Sequence, residues 1–416
     1  MVKLIIIADD FTGALDTGIQ FTKCGIQTQV FTEIPQKSES IEPSTEVLVI
    51  DSESRHMSAR NAYEAVTDIM KWAEELDVEI ILKKTDSALR GNIGSELQAA
   101  LDFDKENTIY FLPGYPEIDR VTVEGTHYIS GSLLEDSVFG KDPFEPVKQS
   151  YIPNIIKEQS SVQVECLSQQ QKIETVDSMD KKIVVCDVQK KDDIRNRLME
   201  LRQKKQLRLL AGCAATAESL ANIMDFHKEN CMNYKKTNGL LISCGSLNEI
   251  TAKQLDYAEK CGFIRRHFTI EQKLNTEYYN TDAGEKFLKE MVLLCKTEQK
   301  VMIDSFDQQE DINDYLSEYG ISKAEVRNTI PYAHGKIVNC LAQEKIDTTI
   351  LMTGGDTLMG YMKLIGSIQL KPVCEIEQGV VLSILDNNGF QQQVISKSGG
   401  FGTLDVFEKI AEKIIR

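Results

Sequence analysis

Short apolar runs recur along the chain, each giving way to polar residues or to a helical spacing. Leu4–Ala8, Val47–Ile50, Ile80–Leu82, Ile109–Leu112 and Ile183–Cys186 are such runs. Their length and aliphatic content predict strands. A sixth run, Leu209–Ala211, leads through residues 212–216 into a helical pattern over Glu218–Met224. Strands alternating with helices predict an α/β fold with a mostly parallel, doubly wound sheet. Residues 152–182 break the pattern with a Gln- and Lys-rich stretch that carries no motif.

Residues 226–238 are polar and lack regular apolar spacing, which places a domain boundary there. The expected domains are 1–230 and 236–416. The second series opens with Leu240–Ser243, continues with a helix from Ile250 to Cys261 stopped by Gly262, and ends in a helix over Val406–Ile415.

Composition narrows the function. With 416 residues, 42% hydrophobic and 27% charged, the chain has the make-up of a soluble globular protein of two or three domains. A formal charge of -17 argues against nucleic acid as partner, which needs a basic footprint. An anionic ligand would therefore need a locally basic or amide-lined pocket. The ten cysteines are scattered, with no Cys-x-x-Cys pair and no zinc spacing, so no metal site is expected. A strand that begins within three residues leaves no room for a leader, and no apolar run approaches the ~20 residues of a membrane span. These features predict a cytoplasmic protein with free thiols and no membrane partner.

Chemistry gathers at the strand ends. Asp9-Asp10-Phe11-Thr12-Gly13 follows the first run, where ligands bind in open α/β sheets. Helix capping is the competing role for this aspartate pair. Asp51-Ser52-Glu53-Ser54-Arg55-His56 follows the second run, and a Ser58-capped helix comes next. Lys83-Lys84-Thr85-Asp86-Ser87-Ala88-Leu89-Arg90-Gly91-Asn92-Ile93-Gly94 follows the third. Arg90 can grip a carboxylate with two parallel hydrogen bonds, and Gly91 would let the backbone approach a ligand. A solvated loop with Arg90 paired to Asp86 is the structural alternative. Further on stand Pro113-Gly114-Tyr115-Pro116, Arg120-Val121-Thr122-Val123-Glu124-Gly125, His127, Gly131, Asp142 and Pro143. His127 reads as a hydrogen-bonded strand residue rather than a base.

In the second half, Gly245-Ser246, Thr353-Gly354-Gly355-Asp356-Thr357 and Lys397-Ser398-Gly399-Gly400-Phe401-Gly402 each lie between a strand and a helix. Backbone N–H groups at such junctions can point at phosphate oxygens. The common nucleotide fingerprints, Gly-x-x-x-x-Gly-Lys-Ser/Thr and Gly-x-Gly-x-x-Gly after a strand, are missing. On residues alone, the reading ends at two α/β domains with an anion site in each.

Taken in order, these motifs resemble the four-carbon acid sugar kinase family over essentially the whole chain. The Asp-Asp opening, the Lys-Lys-x-Asp-Ser-x-Leu-Arg-Gly-Asn-x-Gly run, Thr-Gly-Gly-Asp-Thr and Lys-Ser-Gly-Gly-Phe-Gly carry the likeness. Thr85, Ala88, Asn248 and Gln378-Gly379-Val380-Val381 depart from the family pattern. The resemblance implies an ATP-dependent kinase acting on the C4 hydroxyl of threonate, erythronate or an oxo-tetronate, with Mg2+, and an active site in the cleft between the domains. It implies Arg90, Lys84 and Arg55 for the substrate carboxylate, with Gly91 beside them. Asp9 or Asp10 would hold sugar hydroxyls, and Asp10 or Asp86 would accept the proton. Ser246, Gly354, Gly355, Asp356, Thr357, Gly399, Gly400 and Gly402 would cradle ATP. A sugar-acid sensor without turnover and an NAD-dependent dehydrogenase are the alternatives, and a homodimer is left open.

Overall fold

The structure, a computed structural model, describes all residues except 37–40, 142–145, 176–179, 230–233, 246–247 and 307–322. The chain divides into two units, Met1–Cys231 and Met232–Arg416.

The first unit runs β1 (Leu4–Ala8), α1 (Phe11–Thr22), β2 (Thr28–Phe31), β3 (Val47–Asp51), α2 (Ala59–Glu74), β4 (Ile80–Lys84), α3 (Ile93–Phe103), β5 (Thr108–Leu112), β6 (Arg120–Val123), β7 (Thr126–Ile129), β8 (Ser132–Leu133), α4 (Ile152–Lys157), β9 (Gln163–Leu167), β10 (Lys182–Cys186), α5 (Lys191–Gln203), β11 (Leu209–Gly212) and α6 (Ala214–Ile223). Its main sheet has the order β2-β3-β1-β4-β11-β5-β10-β9, with parallel neighbours throughout. Strands β6 to β8 form a separate antiparallel meander. Every residue of β1 is buried, as its unbroken aliphatic run requires of a central parallel strand covered on both faces. The chain leaves β1 towards β3 on one side and then crosses to β4 on the other. That reversal makes the carboxyl end of β1 a topological switch point, where a crevice opens. Ala8 lies opposite both Asp51 and Lys84, so three loops start side by side.

The second unit runs β12 (Gly239–Cys244), α7 (Glu249–Lys260), β13 (Ile264–His267), α8 (Ile270–Leu274), α9 (Asp282–Thr297), β14 (Lys300–Asp304), α10 (Lys323–Gln343), β15 (Thr348–Thr353), α11 (Gly355–Ile365), β16 (Gln369–Glu377), β17 (Val380–Asn387), β18 (Phe390–Lys397) and α12 (Val406–Ile414). Strand order is β13-β14-β12-β15-β18-β17-β16, parallel as far as β18 and antiparallel beyond it. Helix α12 buries Val406, Phe407, Ile410 and Ile414 against Leu240, Ile242 and Leu382. Each such side chain contributes roughly 1.5–3 kcal/mol.

Two expectations needed correction. Helix α6 begins at Ala214, not near Glu218, because Ala214, Ala215 and Ala217 are strong helix formers directly after β11. The stretch 152–182 holds α4 and β9. As the edge strand, β9 is half solvated, so its polar residues hid it. The two-residue turn at Gln378-Gly379 closes the β16–β17 hairpin, with Gly379 at φ +71° under the Phe401 ring. Among the described residues, no helix is long and apolar enough to cross a membrane.

Candidate active site

In the first unit the loops after β1, β3 and β4 bring six of the expected residues into one charged cluster. Arg55 donates from Nε to Asp9 Oδ2 at 2.8 Å. Its Nη1 and Nη2 donate to the two oxygens of Asp10 at 2.8 and 2.6 Å. Lys84 Nζ lies 3.3 Å from Asp9 Oδ1 and 3.9 Å from Asp10 Oδ1. Arg90 forks onto Asp86, Nε to Oδ2 at 2.7 Å and Nη2 to Oδ1 at 3.1 Å. Arg55 Nη2 lies 3.9 Å from Asp86, which joins the two halves of the cluster.

Asp10 takes the capping role weighed for it while it pairs with Arg55: its Oδ1 also accepts the Gly13 N–H at 3.0 Å as the N-cap of α1. A Cβ on Gly13 would collide with Lys84 Nζ and Asp10 Oδ1, so glycine makes room for the ammonium. Gly91 adopts φ +86°, and its nearest neighbours are atoms of Arg55. The close approach it permits is thus to the cluster's own arginine.

A second ion pair lies beneath. Lys83 Nζ meets Glu96 Oε2 at 2.7 Å, both fully buried, and donates to the Ile7 and Lys84 carbonyls at 3.2 and 2.8 Å. Ser54 Oγ donates to the other Glu96 oxygen at 2.7 Å, while Asn92 Nδ2 ties the Ser54 and Met57 carbonyls together. Breaking one side of such a buried pair costs about 3–5 kcal/mol, so these residues fix the loop that aims Arg55.

Burial alone would raise the carboxyls of Asp9 and Asp86. The charge of Arg55, joined by Lys84 at Asp9 and Arg90 at Asp86, outweighs it and holds both well below the usual carboxylate range. Both are therefore anions at neutral pH. Asp51, at the end of β3, is pushed well above that range by burial and by Glu53. His127 is fully buried between Thr122 Oγ1 and the Ser87 carbonyl, and desolvation lowers it to about 4. It is a structural strand residue.

In the second unit, Cys244 pairs in register with Thr353, and Thr353 with Lys397. The junctions after β12, β15 and β18 therefore share one sheet edge. Gly354 has φ +87° and caps α11, and a Cβ on Gly245 would strike Thr357 Oγ1. Thr357 itself donates to the Thr353 carbonyl at 2.9 Å and is buried, with its N–H given to the Gly354 carbonyl. Asp356 is exposed. Gly399 and the residues around Gly402 are held by α7, through Thr251 Oγ1 to the Gly399 carbonyl and Gln254 Nε2 to the Phe401 and Gly402 carbonyls. A Cβ on Gly400 would meet open space. Asn248 caps α7, its Oδ1 accepting the Ile250 N–H at 2.9 Å. Ser246, Asp142 and Pro143 lie outside the described residues.

Lys397 was not singled out from sequence. Its side chain is buried, its Nζ donates to the Ser398 carbonyl at 3.1 Å, and desolvation lowers it to about 8. A lysine heading Ser-Gly-Gly in a strand-to-helix junction was the available signal.

Comparison with known proteins defines the class and then the family. Residues 4–220 match a family model described as a sugar-binding N-terminal domain, and residues 241–407 match a nucleotide-binding C-terminal domain. A protein with these two modules binds a sugar through one unit and a nucleotide through the other. The chain belongs to the four-carbon acid sugar kinase family. It is 27% identical over 422 residues to a D-threonate kinase of Salmonella typhimurium, covering 97% of this chain and 96% of that one. A 3-oxo-tetronate kinase of Pseudomonas savastanoi is 22% identical over 441 residues, covering 98% and 96%. A D-erythronate kinase of Heliobacterium modesticaldum is 31% identical over 161 residues, covering 38% and 37%. Solved structures from Salmonella typhimurium and Haemophilus influenzae superpose with TM-scores of 0.83 and 0.77 at 18% and 19% identity. They cover 100% and 99% of this chain and 100% of each neighbour, and speak for the fold alone.

Proposed function

We propose that this chain transfers the γ-phosphoryl group of ATP to the terminal C4 hydroxyl of a four-carbon acid sugar: threonate, erythronate or an oxo-tetronate. The observation that carries the reading is the convergence of Asp9, Asp10, Asp86, Arg55, Lys84 and Arg90 at the switch point of the unit that matches the sugar-binding model. Phosphoryl transfer asks a protein to align two substrates, balance charge and take one proton. Asp9 and Asp10 hold sugar hydroxyls. Asp10 takes the proton, since its side chain is 26% exposed against 2% for Asp9 and 9% for Asp86. Lys84 and Arg90 make the surroundings positive for the acid group, while Arg55 keeps the carboxylates apart.

In the second unit, backbone N–H groups of Gly354, Gly355, Gly399, Gly400 and Gly402 fit the phosphates of ATP. The open space over Gly400 and the left-handed turn at Gly354 suit such a cradle. Lys397, lowered to about 8 by burial, still carries most of its positive charge at neutral pH and offers it to the phosphates. Asp356 contributes its backbone, and Ser246 extends the cradle after β12. Among the described residues no group of three His, Cys, Asp or Glu is arranged to hold a metal. Mg2+ bound with the phosphates would neutralise developing charge.

The test is ADP release with Mg-ATP against threonates, erythronates, oxo-tetronates and longer sugar acids. Stimulation by a four-carbon acid is the expected outcome, with the phosphate located on C4 by NMR. Stimulation only by a longer acid would discard the substrate class, and silence across the panel would discard the kinase reading.

A further inference from the structure

The charged cluster extends one residue further than the resemblance implied. Arg120, the first residue of β6, reaches across to Ser87 Oγ in the loop after β4. Its guanidinium carbon lies 4.9 Å from the centre of the Phe139 ring, and that of Arg90 lies 5.3 Å from the same ring. Two guanidiniums therefore converge on one aromatic ring. Arg90 is neutralised by its fork onto Asp86, whereas among the described residues Arg120 is paired with no carboxylate. Burial holds Arg120 below the usual guanidinium range, while carboxylates hold Arg55 and Arg90 above theirs.

Counting charges leads to the same residue. Asp9, Asp10 and Asp86 are engaged by Arg55, Lys84 and Arg90, and Lys83 is balanced by Glu96. Arg120 stands outside these pairings, in a chain whose formal net charge is -17. A guanidinium has five N–H donors in a fork shaped for a carboxylate, and Ser87 occupies one of them. The ring of Phe139 lies against the guanidinium without consuming its donors.

We propose that Arg120 is the direct receptor of the substrate's carboxylate, and so the residue that makes this site select an acid over a neutral sugar. This rests on the acid sugar kinase reading and assigns to Arg120 the contact that the motif alone implied for Arg90 and Lys84. Those two keep the surroundings positive but are engaged by Asp86 and Asp9 before any substrate arrives.

The test is calorimetric titration of the full chain, without nucleotide, with D-threonate, D-erythronate and 3-oxo-tetronate. Threitol and erythritol serve as uncharged counterparts, and wild type is compared with Arg120→Gln and Arg120→Lys. Arg120→Gln is expected to weaken the bound acid roughly tenfold to a hundredfold, the range for losing a charged hydrogen bond. The weak binding of the tetritols, and the affinity for Mg-ATP titrated separately, should stay within twofold. Arg120→Lys, which keeps the charge and loses the fork, should fall between the two. Acid binding within twofold of wild type in Arg120→Gln would overturn the proposal and leave the kinase reading standing. So would equal weakening of acid and tetritol, which marks a merely structural arginine. Should Arg120→Gln fail to bind nucleotide, Arg120→Lys decides alone, and wild-type acid affinity in it overturns the proposal. A wild-type chain that binds no acid of the panel and releases no ADP with any of them overturns both readings.

Discussion

The two units carry opposite materials at the carboxyl ends of their strands. In the first, the ends of β1, β3 and β4 carry charged side chains that hold one another in place. In the second, the ends of β12, β15 and β18 carry glycines, and the one lysine there is buried without a carboxylate partner among the described residues. Both sites occupy the carboxyl edge of a parallel sheet, so topology does not distinguish them. Under the proposed function, the difference follows from the ligand. A small sugar acid has hydroxyls at fixed angles and one carboxylate, and side chains of defined length can select such a pattern. A polyphosphate has many equivalent oxygens, and a bare backbone that comes close enough meets them with N–H dipoles.

The largest predicted effect breaks the symmetry at the proton acceptor. Asp10→Asn should lower kcat roughly a hundredfold to ten-thousandfold, with the KM for ATP little changed. Steady-state kinetics beside Asp86→Asn checks this. A loss confined to Asp86→Asn would move the role there. Matched alanines come next. Gly13→Ala puts a methyl onto Lys84 and Asp10, so it should cost at least tenfold in kcat/KM for the acid while sparing nucleotide affinity. Gly354→Ala strains a residue at φ +87° and should do the reverse. Similar losses for both ligands in either variant would dissolve the division of labour.

A third prediction separates the sites by pH. Lys397 sits at about 8 in the fold against 10.5 when free, so the unfolded chain binds the extra proton between those values. Stability from this group therefore rises as pH climbs through that window. Nucleotide affinity should fall over the same range, as the lysine loses the charge that phosphate needs, and Lys397→Met should flatten that fall. Calorimetry with ATP from pH 7 to 10 decides it. The smallest effect concerns the histidines of the two units. His127 at about 4 and His334 at about 3 are held neutral chiefly by burial, well below the ordinary 6.5. Below pH 6.5 the unfolded chain takes up protons that the fold refuses, so the melting temperature should drop as pH falls. His127→Gln should soften the drop in the first unit, and melting curves from pH 7 to 5 would show it.

The legibility of the two sites differed for a physical reason. Asp9, Asp10, Lys84, Asp86 and Arg90 are charged residues at the ends of apolar runs, and a buried strand end needs no charge for its own stability. They stood out in the sequence. Arg55 stood out less, four residues beyond its strand, and Arg120 had no assigned role because nothing local shows that it reaches Ser87. The glycines of the second unit were visible as clusters, yet Lys397 looked like any strand-end lysine. Its burial depends on Phe407, ten residues away on α12.

The sequence by itself determined the α/β class, the strands β1, β3, β4, β5, β10 and β11, and the loops in which chemistry concentrates. Apolar runs and turn residues are local signals, and burial of those runs follows from the hydrophobic effect whatever the partner. Only the tertiary structure decided the strand order that sets Ala8 between Asp51 and Lys84, the pairing of each cation with its carboxylate, and the placement of Arg120 against Ser87 and Phe139. Those are facts of distance between loops far apart in the chain, and Coulomb energy depends on distance through space, not along the sequence.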